Sequence, residues 1–337
     1  MSKPSVRRDY WHGLAAITLR AGRYQATVLP KVGANLIALS DVRHGYHFMR
    51  TPKPEQIQAF TDNPNTYGNP VLFLPNRYQD GAFTIAGIHY QFPINEAKTH
   101  NFIHGFLYRM PWDVVFSGCT PELSVVVLRQ RIRPGHPFYR YFPHWFTITL
   151  TYLLSPNGLR QLVRIHNQGD TPLPVLLGFH TAFRIPFAAP SQPQDVSIHV
   201  DVGLRWELND RGLPTGATVG LSPAEQGLQG EGMTPGAEAL DNHYSVAHFG
   251  QSNVAVIRDR RIGAELVYRV GSRYRYWMVW NGGGDESFVC VEPQTNRVNA
   301  PNLNLSLSNT GVAILKKGQS WRESAQLSVR RYSPPRE

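Results

Sequence analysis

Apolar and polar residues alternate with a period of two along much of this chain, the mark of strands that bury one face. Phe83 and Ile85, then Ile88, Tyr90 and Phe92, alternate on either side of Ala86-Gly87. That pattern predicts a hairpin. The Thr-, Ile- and Tyr-rich run Trp145 to Leu154 leads through Ser155-Pro156-Asn157-Gly158 into Leu159 to His166. This reads as a second hairpin, closed by a four-residue turn rather than the tight two-residue type. Further strands are expected at Ser124 to Ile132, Val254 to Ile257, Ala264 to Val270, Tyr274 to Trp280, Ser287 to Val291 and Ser324 to Arg330. No segment carries a long amphipathic helix, and 26 Pro and 29 Gly interrupt the chain too often for one. An all-β fold follows.

The 337 residues are 42% apolar and 17% charged, a folded globular composition. No linker divides the strands, so one domain over 1–337 is expected, with short basic termini at about 1–10 and 330–337. The Gly-, Pro- and Ala-rich stretch Asp210 to Glu238 reads as a long surface excursion within it. The net charge of +10 is spread over small clusters at Lys3 to Arg8, Arg129 to Arg133, Arg258 to Arg261 and Arg330-Arg331. No dense basic stripe accompanies a reading helix, which argues against nucleic acid as a partner. Cys119 and Cys290 lie far apart and are expected to be two buried thiols of a cytoplasmic protein. Met1-Ser2-Lys3-Pro4 is not followed by an apolar export segment, and no apolar run approaches the roughly 20 residues of a spanning helix. No glycine-rich phosphate loop is present, so no nucleotide cofactor is expected.

Some polar residues interrupt apolar stretches. His104 stands between Ile103 and Gly105, and His180 ends the run Leu176 to Phe179. The plainer reading of either is a core histidine satisfied by a backbone carbonyl. Glu292 follows Phe288 to Val291 and precedes Pro293. Pointing inward it would be desolvated, with a raised pKa; pointing outward it is simply the first solvated residue after a strand. His100 and His104 have the i,i+4 spacing of metal ligands, but Pro93 upstream and Gly105 downstream argue against the helix that spacing requires. No metal is expected.

Taken in order, these segments resemble the aldose 1-epimerase, or galactose mutarotase, family. The resemblance starts at Val32-Gly33-Ala34-Asn35-Leu36 and strengthens at Leu74-Pro75-Asn76-Arg77 with Gly81-Ala82-Phe83-Thr84. Tyr90 to Glu96 leads into His104-Gly105; His180-Thr181-Ala182-Phe183, Asp241 in Leu240 to Tyr244, and Val291-Glu292-Pro293-Gln294-Thr295 follow. Together they cover about residues 25 to 325. The segment His104 to Trp112, with Arg109, is more like the branch acting on hexose 6-phosphates, as is Tyr244. Asn76-Arg77 and Tyr90 to Glu96 are more like the free-aldose branch.

The resemblance implies a large antiparallel β-sandwich, the supersandwich of galactose mutarotases, that interconverts α and β anomers of a free hexose. A hexose 6-phosphate epimerase and a non-catalytic sugar-binding protein are the alternatives. It implies Glu292 as base and His180 as acid, with His104 beside them, and Asn76, Arg77 and Asp241 on the sugar. Unperturbed, a glutamate near about 4.3 is a feeble base, so burial has to raise it, whereas a histidine near about 6.5 suits proton donation. Tyr67, Phe106 and Trp112 are aromatic candidates for a platform under the sugar ring. The expected partner is a small-molecule sugar, with no membrane, and the chain a monomer or homodimer.

Overall fold

In the computed structural model, which describes residues 2–332, strands dominate and their ladders are antiparallel. An eight-stranded sheet runs in the order Asp113–Cys119, Ser124–Ile132, Phe146–Ser155, Gly158–Asn167, Ser320–Arg331, Ala264–Val270, Asn253–Asp259, Val196–Val200. Burial alternates residue by residue in its central strands: Phe146, Ile148, Leu150, Tyr152 and Leu154 point inward and the Thr residues between them outward. Burying such side chains contributes roughly 1.5–3 kcal/mol each, which is what selects this register over a one-residue slip.

A second sheet orders Pro214–Val219, Val202–Leu208, Asp241–Val246, Tyr276–Trp280, Phe288–Gln294, Gly178–Phe179 and Val71–Leu72, with Ala182–Arg184 also paired to Phe288–Gln294. An N-terminal sheet of Ser2–Trp11, Leu14–Gly22, Tyr24–Leu29, Asn35–Asp41 and Tyr46–His47 completes the sandwich. One buried apolar cluster draws on all three sheets, through residues such as Leu19, Leu150 and Val291. Polar pins join them: the Tyr152 hydroxyl donates to Ala34 O at 3.2 Å, and the Tyr24 hydroxyl accepts from Val329 N at 3.0 Å.

Several sequence expectations need correction. Ser155 pairs directly with Gly158, so that hairpin is closed by the tight two-residue loop Pro156-Asn157. The basic segment at 1–10 is a strand from Ser2 on, held by pairing to Leu14–Gly22 rather than trailing as a tail. Met1 and residues 333–337 of the expected termini lie outside the described residues. The excursion at 210–238 contains the strand Pro214–Val219 and the helix Pro223–Gln229, whose Glu225 and Leu228 are buried. Cys290 is buried as expected, but Cys119, on an edge strand, is exposed; both are free thiols. The expected strand at Ser287 to Val291 extends through Glu292 and Pro293 to Gln294.

Candidate functional site

That extension creates the site. Gly178 pairs with Gln294 and Ala182 with Cys290, so one register carried across both puts His180 opposite Glu292. Pairing is interrupted there: Val291 N–H donates to Thr181 O at 3.0 Å and Thr295 N–H to Leu177 O at 2.8 Å. Pro293, which has no N–H to offer, falls between them. A proline is tolerated in this central strand because its neighbour is broken at that point. His180 Nε2 lies 3.1 Å from Glu292 Oε1, with 5% and 2% of the two side chains exposed. The second carboxylate oxygen accepts from Gln294 Nε2 at 3.2 Å.

The strand Arg77–Gln79 pairs with Asn101–Ile103 and delivers two more side chains. His104 N–H donates to Asn76 O at 3.1 Å, and the His104 ring meets the His180 ring edge-on, centroids 5.3 Å apart. Asn76, His104 and Asn299 all have left-handed backbone, at φ 57°, 66° and 55°. Such conformations are costly for non-glycine residues, and here they cluster at one place. Gly105 follows at φ 67°, where a Cβ would stand 2.0 Å from Phe73 O. Only glycine fits that approach.

Arg77 is clamped between two carboxylates. Its Nε reaches both oxygens of Glu96 at 3.0 Å and its Nη2 reaches Asp241 Oδ2 at 3.2 Å. Glu96 is itself held by Thr99 Oγ1 at 2.5 Å and Asn101 Nδ2 at 3.1 Å. The tip of the hairpin built from Val202–Leu208 and Pro214–Val219 covers this group. Arg211 Nη2 donates to Asp80 Oδ1 and to His100 O, each at 2.8 Å, and a Cβ on Gly212 would lie 2.8 Å from Arg77 Nη1. Behind Asp241, the buried carboxylate of Glu225 accepts from Arg205 Nη1 at 2.6 Å and Asn242 Nδ2 at 2.8 Å, tying the helix to this strand.

Burial sets the charges. It pushes Glu292 well above the usual carboxylate range, helped by Asp241 and opposed by Gln294 and Arg77. It pushes His180 down to about 3, with Arg50 adding to the effect, and His104 well below its usual value, with His180 and Arg77 adding. Burial also works against the charge of Arg77, but Asp241 and Glu96 outweigh it and hold that pKa up. Both shifts favour the uncharged form of the His180–Glu292 contact, with one proton between the two, over imidazolium and carboxylate.

Asn76, Arg77, His104, His180, Asp241 and Glu292 all line one cleft of ≈ 160 Å³. The sequence reading missed its other walls, Asn65, Thr66, Met278 and Trp280. Met278 and Trp280 were within reach of it: they alternate along an expected strand, Met278 paired with Glu292 and Trp280 with Asp241. Of the aromatics expected beneath a sugar, Phe106 and Trp112 are only 8% and 1% exposed and belong to the core. Tyr67 packs against Phe60 and under the Arg50 guanidinium. Trp280 is the aromatic that lines the cleft, its ring 5.8 Å from that of His180. Arg109 is exposed outside the cleft, its guanidinium over the Phe106 ring. No group of three or more His, Cys, Asp or Glu among the described residues is placed to hold a metal, and no helix is long and apolar enough to cross a membrane.

Residues 15–328 match the aldose 1-epimerase family. A galactose mutarotase-like protein from Clostridium acetobutylicum is 30% identical and superposes with a TM-score of 0.92, over 98% of this chain and 99% of that one. Galactose 1-epimerase from Lactobacillus acidophilus NCFM, 16% identical, shares the fold, with a TM-score of 0.75 over 98% and 99% of the two chains. The uncharacterised protein YihR of Escherichia coli (strain K12) is 30% identical over 165 residues, 49% of this chain and 48% of YihR, so the match spans about half the length of that relative. With sequence agreement from end to end of the sandwich, this chain belongs to the aldose 1-epimerase family.

Proposed function

We propose that this protein interconverts the α and β anomers of a free hexose, with Glu292 as the base and His180 as the acid. The observation that carries the reading is their contact at 3.1 Å. Ring opening takes a proton from the C1 hydroxyl and gives one to the ring oxygen. Both oxygens are bonded to C1, so the two catalytic groups have to sit side by side. Passing the shared proton from Glu292 to His180 yields the carboxylate and imidazolium that this step uses. Glu292 then accepts the hydroxyl proton, His180 protonates the ring oxygen as the C1–O bond breaks, and the aldehyde forms. Rotation about C1–C2 and the reverse transfers close the ring on its other face.

The remaining residues bind and orient. Arg77 and His104 donate toward sugar oxygens, Arg77 without giving up a proton. Asp241, 48% exposed at the cleft mouth, accepts from hydroxyls. Trp280 offers a face to the apolar side of the ring. The ≈ 160 Å³ of space is small beside the roughly 300–1,000 Å³ of drug-sized ligand sites, and suits a single pyranose. Arg109, the arginine expected to grip a 6-phosphate, lies outside the cleft, which supports the free sugar.

Polarimetry on a fresh α-anomer tests the reading. Glu292→Gln and His180→Asn are each expected to lower kcat by roughly 100-fold or more. A loss below about threefold in either removes that residue from the mechanism. Glucose should be used at least as well as glucose 6-phosphate; a strong preference for the phosphate that disappears in Arg109→Ala overturns the choice of substrate.

A further inference from the structure

The outward face of the eight-stranded sheet carries an ordered pattern that the cleft does not use. Cross-strand register aligns Phe116, Val127, Thr151 and Leu162 in one row across four strands. On one side of it runs the row Asp113, Arg129, Thr149, Arg164, Arg322, its one carboxylate confined to the edge strand; on the other, Leu153, Arg160, Gln326, Arg269. Arg160, Arg164, Arg269 and Arg322 are exposed, and among the described residues none of the five arginines makes an ion pair. Arg164 stands directly opposite Arg322, an arrangement of like charges that destabilises a sheet. Two adjoining grooves, of ≈ 490 and ≈ 450 Å³, cross this face and share Arg160 and Ser324. The one carboxylate lining them, Glu323, accepts from the backbone N–H groups of Arg273 and Ser324 at 2.9 and 2.8 Å.

We propose that this face docks an acidic amphipathic polypeptide, whose apolar ridge lies along the Phe116–Leu162 row while its carboxylates meet the arginines on either side. Charge complementarity supplies the occupant: planar guanidinium forks match carboxylates two-pronged, and their mutual repulsion is relieved when anions arrive. The apolar row selects a polypeptide, because a phosphate backbone would leave it unused. The one ring in that row, Phe116, stands at its outer end on the edge strand, so successive bases would find no series of stacking platforms.

Binding is measured with a synthetic peptide of about 20 residues bearing one leucine face flanked by glutamates. Polyglutamate, heparin and phosphatidylglycerol vesicles serve as competitors. The peptide is expected to bind more tightly than polyglutamate, with affinity falling as salt rises, and to lose at least about tenfold in Arg160→Gln/Arg322→Gln. Polarimetric activity should not change in that variant, and Arg322→Gln alone should melt no lower than the parent. Unchanged peptide affinity in the double variant overturns the proposal, as does tighter binding of heparin or vesicles than of the peptide.

Discussion

His180, in the break between Gly178–Phe179 and Ala182–Arg184, stands at the register position of Glu292 on the adjacent strand, and the two side chains meet at 3.1 Å. A pair held in this way titrates as a unit. Adding a second proton creates a buried positive charge, which burial opposes, so that step is pushed below the ordinary histidine value of 6.5. Removing the only proton leaves a buried negative charge, which pushes that step above the ordinary glutamate value of 4.5. The pH profile of kcat/KM is therefore expected to have its acid limb below pH 6.5. An acid limb at or above that value would mean that a freely titrating histidine governs the rate.

Glu96 touches no part of the acid–base pair, yet it fixes the guanidinium of Arg77 through both its oxygens. Glu96→Gln keeps the volume and removes the charge. KM is expected to rise by about tenfold while kcat stays within about threefold, because substrate placement is weakened and proton transfer is not. Equal losses in kcat and kcat/KM would instead place Arg77 in the transition state.

Gly105 combines left-handed backbone with a Cβ position 2.0 Å from Phe73 O. Gly105→Ala has to shift the segment that carries His104, and is expected to destabilise the fold by about 2 kcal/mol or more. Thermal melting checks this, and an unchanged melting temperature would contradict the packing described.

His243 is wholly buried against Tyr276, its ring nitrogens reached by nothing closer than a loose contact with the Trp277 backbone. Burial, aided by Arg297, pushes its pKa down to about 3. A depressed folded value gives stability that is present above the unfolded value near 6.5 and lost as pH falls through the folded one. Melting temperature should therefore decline on acidification from about pH 6.5. His243→Phe keeps the stack and removes unsatisfied polar atoms. It is expected to melt about 1–2 °C higher at pH 7 and to show a shallower acid decline.

Much of the sandwich was legible in the chain because alternation is local. Ser124–Ile132 and Ala264–Val270 coincide with their expected spans, and the Ala86-Gly87 turn joins the strands predicted around it. The N-terminal sheet was not legible: Ser2–Trp11 is polar, and Leu14–Gly22 is rich in alanine, so neither shows a strong period of two. At the site, the histidines and the glutamate stood out as polar residues in apolar surroundings. Their partners did not. Glu96, Arg211 and Trp280 make contacts that long-range pairing creates, and the strand expected to end at Val291 runs on through Pro293 beside a break that lies in a different segment of the chain.

The interrupted pairing also divides the labour of the molecule. The spacing of His180 and Glu292 is imposed by neighbouring backbones, whereas the groups surrounding them come from other pieces: the Asn76-Arg77 turn, the His104 bend and the start of the Asp241–Val246 strand. Those pieces are tied to one another, His104 to Asn76 and Arg77 to Asp241, and form a group distinct from the backbones that set the His180–Glu292 spacing. Loops around such a caliper can be exchanged without resetting it, so grafting the Asn65–Arg77 segment from a relative with another preference should change substrate preference and leave the His180–Glu292 spacing intact.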